Sequence, residues 1–242
     1  MNKYRVAFGS KKTLLAVVHC EDVEHSIRNT RLAKENGAHG VFLINHNFGP
    51  KELMENYRAV RTEFPDYWIG INLLGVSLKN IFDYATRHVN GIWTDNAGVP
   101  DEEWKRTRGK CQADDFLKET SNWPGIYFGG TAFKYTHQVN DDPATAAENA
   151  MAYMDVITTS GSGTGSAPMV DKLKAMRKAV GNFPIANASG NSLENAIDFC
   201  EHVDCLITAS SLLKTKVRTY GPDEFDPDKI YQMVRLLEQL SD

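Results

Sequence analysis

Short apolar runs alternate with amphipathic stretches along the whole chain, and this alternation predicts repeated βα units that build a parallel sheet. Eight runs have the composition of strands, at Thr13 to Val18, His39 to Asn45, Trp68 to Leu74, Gly91 to Thr94, Gly125 to Gly130, Val156 to Thr159, Phe183 to Ala188 and Val203 to Ala209. Most of them are short and apolar, as expected for strands buried on both faces.

Amphipathic helices are predicted where apolar residues recur at positions i, i+3, i+4 and i+7. These stripes follow the third, sixth, seventh and eighth strands, at Leu78/Ile81/Phe82/Ala85, Val170/Leu173/Met176/Val180, Leu193/Ala196/Ile197/Cys200 and Ile230/Met233/Val234/Leu237. Capping residues agree with them, namely Asp142 before Pro143, Ser77 and Ser192 at helix starts, and Gly37 and Gly181 at helix ends. The periodicity is poorest from Pro100 to Thr120.

Eight consecutive units without a linker predict a single α/β domain over residues 1–242, closed as a (β/α)8 TIM barrel. The alternative is a doubly wound open sheet that binds a dinucleotide. That fold needs a GxGxxG motif after the first strand, where this chain has His19-Cys20-Glu21-Asp22. The barrel is therefore the favoured architecture.

Composition narrows the functional classes. The 27 basic and 31 acidic side chains give a net charge of -4, so no basic field is available to attract nucleic acid. The apolar run Leu14 to Val18 is too short for a signal peptide or a membrane span, and we expect a cytoplasmic protein. The four cysteines lack metal-binding or CxxC spacing and are expected to be reduced core residues.

Three loops rich in small and hydroxyl residues follow the last three strands, in the region where many barrel enzymes bind phosphate. Glycines allow backbone amides to approach an anion closely, and hydroxyls add donors. The alternative is that these loops are flexible or small only for packing. The candidate phosphate ligands are Gly161, Ser162, Gly163, Thr164, Gly165, Ser189, Gly190, Asn191, Ser210 and Ser211.

Polar residues at other strand ends are the candidate catalytic and substrate-binding groups, because barrel active sites lie at the carboxyl ends of the strands. Lys134 can polarise a carbonyl or form an imine, and Asp95 and His19 can transfer protons. Asn45 and Asn72 can bind substrate hydroxyls. Each has a structural alternative: a solvated lysine, a turn aspartate, a hydrogen-bonded histidine and two loop-capping amides.

The segments VITTSGSGTGSAP (156–168), LKAMRKAVGNFPIANASGNSLENA and VDCLITASSLLK resemble the BtpA/SgcQ family of ribulose-phosphate-binding barrels. The resemblance covers most of the chain and matches His19, Asn45, Asn72 and Lys134 to that family's polar strand-end residues. It implies a (β/α)8 barrel with a phosphate site at loops six to eight. The loop after the first strand is shorter than is usual in that family, and Tyr135 stands where many members have His.

These features predict a sugar-phosphate or ribosyl-phosphate enzyme of the isomerase, epimerase, aldolase or lyase type, whose partner is a small phosphorylated metabolite. The alternative is a non-catalytic ligand-binding or assembly factor, since some BtpA members are linked to photosystem I biogenesis. A nucleotide-processing enzyme would need ordered aromatics at the mouth, such as Trp93, Trp104 and Tyr135. No metal or cofactor is predicted, and a homo-oligomer is expected by analogy with other barrels.

Overall fold

Eight parallel strands close into a barrel in which each strand pairs with its neighbours in sequence order. The architecture is seen in a computed structural model that describes residues 2–99, 111–134, 142–163, 165–215 and 224–241. The strands are β1 Thr13–Cys20, β2 Gly40–Asn45, β3 Ile69–Asn72, β4 Gly91–Thr94, β5 Ile126–Gly130, β6 Val156–Thr159, β7 Ile185–Asn187 and β8 Cys205–Thr208. Because β1 pairs with β8, the sheet has no edge and the predicted TIM barrel is confirmed.

Helices cover the outside of the barrel. They are α1 Lys3–Phe8, α2 Val23–Glu35, α3 Pro50–Glu63, α4 Gln112–Ser121, α5 Pro143–Ala150, α6 Val170–Val180, α7 Leu193–Cys200 and α8 Pro227–Gln239, with 3-10 helices at Leu78–Asp83 and Ser210–Leu212. The capping predictions hold. The Asp142 carboxylate accepts from two backbone amides of α5, and Ser77 and Ser192 are the N-cap residues of the 3-10 helix at Leu78–Asp83 and of α7. Gly37 and Gly181 follow α2 and α6 with φ 86° and 57°.

Two apolar clusters divide the core, because side chains alternate along each strand between the barrel interior and the helix layer. On β1, Leu15 and Val17 belong to the interior cluster, whereas Leu14, Ala16 and Val18 belong to the outer one. The interior is rich in aromatic residues, and Phe42, Trp93 and Phe128 meet there at ring-centroid distances of 5.2 to 5.7 Å. The same alternation determines whether each polar side chain at a strand end points into the barrel interior or toward the helix layer.

The amino-terminal helix α1, which the periodicity does not predict, covers the end of the barrel where the strands begin, called the lower end from here on. Its Tyr4 is fully buried, and the phenol bonds Thr13 Oγ1 at 2.6 Å and donates to the carbonyl of Asp204 at 3.0 Å. The Tyr4 ring packs edge-on to Phe128. This end is therefore closed by apolar packing, and the opposite end, at the carboxyl termini of the strands, is left for chemistry.

Three helical predictions need correction, and one of them is Val170, which is 37% exposed at the start of α6. The stripe after β3 forms a 3-10 helix over Leu78–Asp83, a form that is stable only in short pieces. On α7, Ile197 is 50% exposed, whereas Ala196, Phe199 and Cys200 are buried. The apolar face of α7 is therefore rotated away from Ile197, and Phe199 takes the core position instead. By contrast, all four residues of the α8 stripe are buried.

Candidate active site at the carboxyl end of the barrel

Asp95 and Asn72 form a hydrogen-bonded pair at the mouth of the barrel. Alternation along β3 places Asn72 on the interior side, opposite to the outward-facing Ile69 and Ile71. Its Nδ2 donates to Asp95 Oδ1 at 3.2 Å. Burial raises the pKa of the Asp95 carboxyl, while the bond from Asn72 and the positive charge of Lys134 both act to lower it. A carboxyl group with a raised pKa is suited to exchange protons nearer to neutral pH.

Lys134 lies close to this pair on the β5 loop, which is described from Thr131 to Lys134. The backbone amide of Lys134 donates to Ser160 Oγ at 2.8 Å, which joins the β5 loop to the end of β6. Its ammonium is 5.5 Å from the ring centroid of Phe133, and its side chain is partly buried. The structure thus brings Lys134, Asp95 and Asn72 into one electrostatic environment, although they are far apart in sequence.

The backbone of the β5 loop is unusual at Ala132, whose φ is 46°. A residue with a Cβ is rarely found in this left-handed region and stays there only when its surroundings hold it. The Ala132 carbonyl accepts from Thr159 Oγ1 at 3.3 Å and from Lys172 Nζ at 2.6 Å. Lys172 was missed by the sequence reasoning, since a lysine in an amphipathic helix ordinarily faces solvent.

His19 and His46 meet at the same end of the barrel, with ring centroids 4.8 Å apart and ring planes at 89°. Alternation places His19 with the interior residues Leu15 and Val17, and His46 two positions beyond the interior residue Ile44. His19 is partly buried and His46 is exposed. Two imidazoles therefore stand at the mouth, where the sequence analysis selected only His19 as a candidate.

Asn45 faces the helix layer, in line with the outward residues Val41 and Leu43. Its Nδ2 donates to the carbonyls of Phe48 and Leu74, and its Oδ1 accepts from the backbone amide of Leu74 at 2.9 Å. The amide thus joins the segments after β2 and β3 to each other. This geometry matches the loop-capping alternative, and Asn45 supports the site through the backbone.

Two glycines allow tight backbone packing here, Gly161 within the segment after β6 and Gly190 between the segments after β6 and β7. A Cβ on Gly190, whose φ is 65°, would lie 2.3 Å from Ala167 N, and one on Gly161 would lie 2.2 Å from the Ser166 carbonyl oxygen. Ser189 Oγ also donates to the carbonyl of Gly163 at 3.2 Å. Only glycine permits these approaches, so the segments after β6 and β7 form one compact backbone surface.

The other candidate phosphate ligands differ in availability. Ser162, Gly165 and Ser210 are exposed, whereas the Asn191 amide is buried and donates to Asn187, Ile207 and Thr208. Asn191 therefore braces β7 against β8. The Ser211 hydroxyl is buried and has no hydrogen-bond partner among the described residues. Thr164 lies outside the described residues, as do Trp104 and Tyr135.

Two further polar atoms of the barrel interior were not anticipated. Trp93 Nε1 and Thr158 Oγ1 are both buried without a hydrogen-bond partner in the described part of the chain. Trp93 belongs to the interior cluster, and Thr158 alternates with the interior residue Val156. Asp95 follows Trp93 by two residues, and Ser160 follows Thr158 by two residues. The two atoms therefore lie deeper in the barrel than Asp95 and Ser160. Only tertiary closure of the barrel reveals such atoms.

The described ranges hold neither a metal-binding cluster nor an exposed thiol. They contain no group of three or more His, Cys, Asp or Glu side chains that could hold a metal ion. All four cysteines are free and buried, and burial raises the pKa of Cys20 and of Cys200 to about 12. No helix among these residues is long and apolar enough to span a membrane.

Solved structures share this fold at low sequence identity. The chain is 11% identical to an (S)-3-O-geranylgeranylglyceryl phosphate synthase from Thermoplasma acidophilum in complex with sn-glycerol-1-phosphate, with TM-score 0.63 over 98% of this chain and 97% of that one. It is 12% identical to a KDPG aldolase from Legionella pneumophila with pyruvate captured as a covalent carbinolamine, with TM-score 0.59 over 98% and 97%.

A third neighbour is a cube-shaped cage designed by fusing symmetric oligomeric domains, with 12% identity and TM-score 0.67 over 94% of this chain and 73% of that one. At these identities the likeness shows the fold alone. No family model and no curated protein matches the chain by sequence, so membership of the BtpA/SgcQ family stays a prediction.

Proposed function

We propose that this protein is an enzyme that acts on a small phosphorylated carbonyl compound, by aldolase, lyase or isomerase chemistry. The observation that carries the proposal is the Asn72–Asp95 hydrogen bond beside the charge of Lys134, at the open end of a closed barrel. Such a site combines a carboxyl group of raised pKa with a cation. The carboxyl group can transfer the proton next to a carbonyl, and the cation can stabilise the negative charge that develops on the carbonyl oxygen.

In this proposal Asp95 takes or returns the proton at the carbon beside the carbonyl. Lys134 either stabilises the negative charge that develops on the carbonyl oxygen or, after losing a proton, adds to the carbonyl carbon and forms an imine with release of water. Asn72 orients Asp95 and binds a substrate hydroxyl. His19 is a second group for proton exchange, and Asn45 holds the neighbouring loops in place.

The phosphate would bind at the segments after β6, β7 and β8. Their support is the contact of Gly190 with Ala167 and of Ser189 with Gly163, which gathers backbone groups from separate loops on one surface. Exposed hydroxyls of Ser162 and Ser210 stand at the same end of the barrel. Binding energy at a remote phosphate can hold the reacting carbons close to Asp95 and Lys134.

The neighbours support this substrate class, since one was solved with sn-glycerol-1-phosphate and another is an aldolase that holds a covalent pyruvate adduct. The competing function is the non-catalytic binding or assembly factor suggested by the family resemblance. Both functions use the phosphate surface, and only the enzyme uses Lys134 and Asp95 for chemistry. The deciding experiment therefore has to separate binding from turnover.

The test compares wild type, Lys134→Ala and Lys174→Ala, where Lys174 is an exposed lysine of α6. Each protein is incubated with dihydroxyacetone phosphate, ribulose 5-phosphate and KDPG, and turnover is measured. In separate incubations with the same compounds, borohydride is added and the intact mass of the protein is measured. We expect turnover in wild type and in Lys174→Ala that is lost in Lys134→Ala, with inorganic phosphate still bound by all three proteins. A borohydride-stable adduct would identify the imine route.

The assembly-factor function predicts the opposite pattern. Phosphate compounds would raise the melting temperature of all three proteins, and no compound would be turned over or trapped. Turnover that is equal in wild type and in Lys134→Ala would also contradict the assignment of Lys134. If none of the phosphorylated compounds binds, the whole proposal is refuted.

A further inference from the structure

Lys172 makes a contact that its sequence position does not suggest. It is the third residue of α6, and its ammonium donates to the carbonyls of Ala132 and Ser160, each at 2.6 Å. No carboxylate lies within ion-pair distance of it in the described ranges, and burial lowers its pKa from the ordinary 10.5 to about 8. Burying a cation without a counterion is unfavourable, so another gain must offset the cost.

The two carbonyls belong to the segments that position Lys134. Ala132 holds the left-handed backbone conformation two residues before Lys134, and Ser160 accepts the backbone amide of Lys134 through its hydroxyl at 2.8 Å. Lys172 therefore bonds to both sides of the junction between the β5 loop and the end of β6. Without its ammonium, the Ala132 carbonyl would lose the shorter of the two bonds described for it, since the bond from Thr159 Oγ1 is 3.3 Å long.

We propose that Lys172 is a positioning residue of the active site, which clamps the β5 loop to the end of β6 and thereby sets the place of Lys134. The inference rests on the proposed function for its catalytic consequence. The clamp itself is a structural claim that can be measured without any substrate. The described hydrogen bonds of the Lys172 ammonium go to the carbonyls of Ala132 and Ser160. They do not include Asp95, Asn72 or the exposed serines of the phosphate surface.

The experiment uses Lys172→Met, which removes the charge and the donors and keeps most of the apolar stem. Lys172→Arg keeps a charged donor, and Lys174→Met makes the same change on the exposed side of α6. Hydrogen exchange at the Lys134 amide reports the clamp directly. In Lys172→Met this amide should lose protection, while amides of the α8 helix keep theirs, and Lys172→Arg should recover part of the loss.

The catalytic consequence is read from kcat and KM with the compound that wild type turns over. We expect kcat of Lys172→Met to fall by about 10²-fold, the scale of a misplacement near 1 Å at a reacting group. KM and the affinity for inorganic phosphate should stay at their wild-type values. Lys174→Met should match wild type in every measurement.

Three results would overturn the inference. One is unchanged protection of the Lys134 amide in Lys172→Met, which would show that the bonds to Ala132 and Ser160 do not hold the loop. Another is a wild-type kcat in that variant despite lost protection. The third is a parallel loss of kcat, phosphate affinity and melting temperature, which indicates general damage. If wild type turns over nothing, the proposed function fails, and the exchange data still decide the clamp.

Discussion

The amide of Asn72 donates a hydrogen bond to the carboxyl group of Asp95 at 3.2 Å; Asn72 ends β3, and Asp95 directly follows the neighbouring strand β4. The carboxyl is partly buried, and its burial raises its pKa above the ordinary value. A group kept in an environment that disfavours its charged form costs stability, which is common at active sites. The environment that raises the pKa of Asp95 therefore suits the group to proton transfer and lowers the stability of the fold.

The first prediction concerns Asp95→Asn, which keeps the shape and removes the ionisable group. We expect turnover to fall by about 10²–10⁴-fold, the usual contribution of a proton-transferring side chain. The free energy of unfolding near pH 7 should rise, because a raised folded-state pKa means that the ionised carboxylate destabilises the fold. In wild type the stability contributed by the protonated carboxyl is lost as pH rises through its folded-state pKa.

Urea unfolding from pH 4 to pH 8 measures this difference, with exposed Asp66→Asn as the control. The gain of Asp95→Asn over wild type should grow with pH and be absent in the control. A variant that is less stable than wild type at pH 7 and equally active would contradict both roles.

The second prediction concerns Gly190→Ala. Its Cβ would meet Ala167 N at 2.3 Å, whereas a Cβ on Gly75, which also has positive φ, would have no atom within 4 Å. Gly75→Ala therefore carries only the backbone strain, about 1–2 kcal/mol. Gly190→Ala should cost a further 1–3 kcal/mol, roughly the penalty of an overpacked contact. Denaturant unfolding of the two variants measures the difference.

The same pair tests the phosphate surface. We expect Gly190→Ala to weaken inorganic phosphate binding, since the loops after β6 and β7 must separate, and Gly75→Ala to bind like wild type. Calorimetric titration measures the two affinities. Equal phosphate affinity in both variants would place the phosphate elsewhere.

The third prediction is the pH dependence caused by Lys172. Burial lowers its pKa to about 8, so between that value and 10.5 the unfolded chain holds a proton that the folded protein has lost. Stability from this group therefore rises as pH increases across that interval. Lys172→Met should remove the rise, which is read as the difference between wild-type and variant unfolding curves at pH 7.5 and pH 10. Parallel curves for the two proteins would refute the assignment.

The fourth prediction concerns Asp204 at the lower end of the barrel, where it is 6% exposed. Its carboxylate accepts from Arg5 at 2.7 Å, Arg177 at 2.5 Å and the amide of Ile185 at 2.9 Å. Burial acts to raise its pKa, but the two arginines and the amide together lower it. This group therefore stabilises the fold above its unfolded pKa, and that contribution is lost as pH falls through the folded value.

Asp204→Asn should cost about 3–5 kcal/mol at pH 7, because it leaves two arginines without their buried partner. The exposed pair of Asp115 with Lys118 provides the control, and Asp115→Asn should change stability by roughly 0.5 kcal/mol or less. Urea unfolding at low ionic strength, repeated at pH 3, checks both values. A similar loss in the two variants would show that burial does not strengthen the Asp204 network.

The chain itself determined the eight strands, each found within two residues of the predicted bounds, because strands buried on both faces appear as apolar runs. It also placed Lys134, Asp95 and Asn72 at strand ends. Tertiary structure alone decided that Asn45 faces the helices while His46 faces the mouth, since a one-residue shift along a strand reverses the side. It also decided the clamp by Lys172, because a long flexible side chain reaches partners that no spacing in sequence encodes.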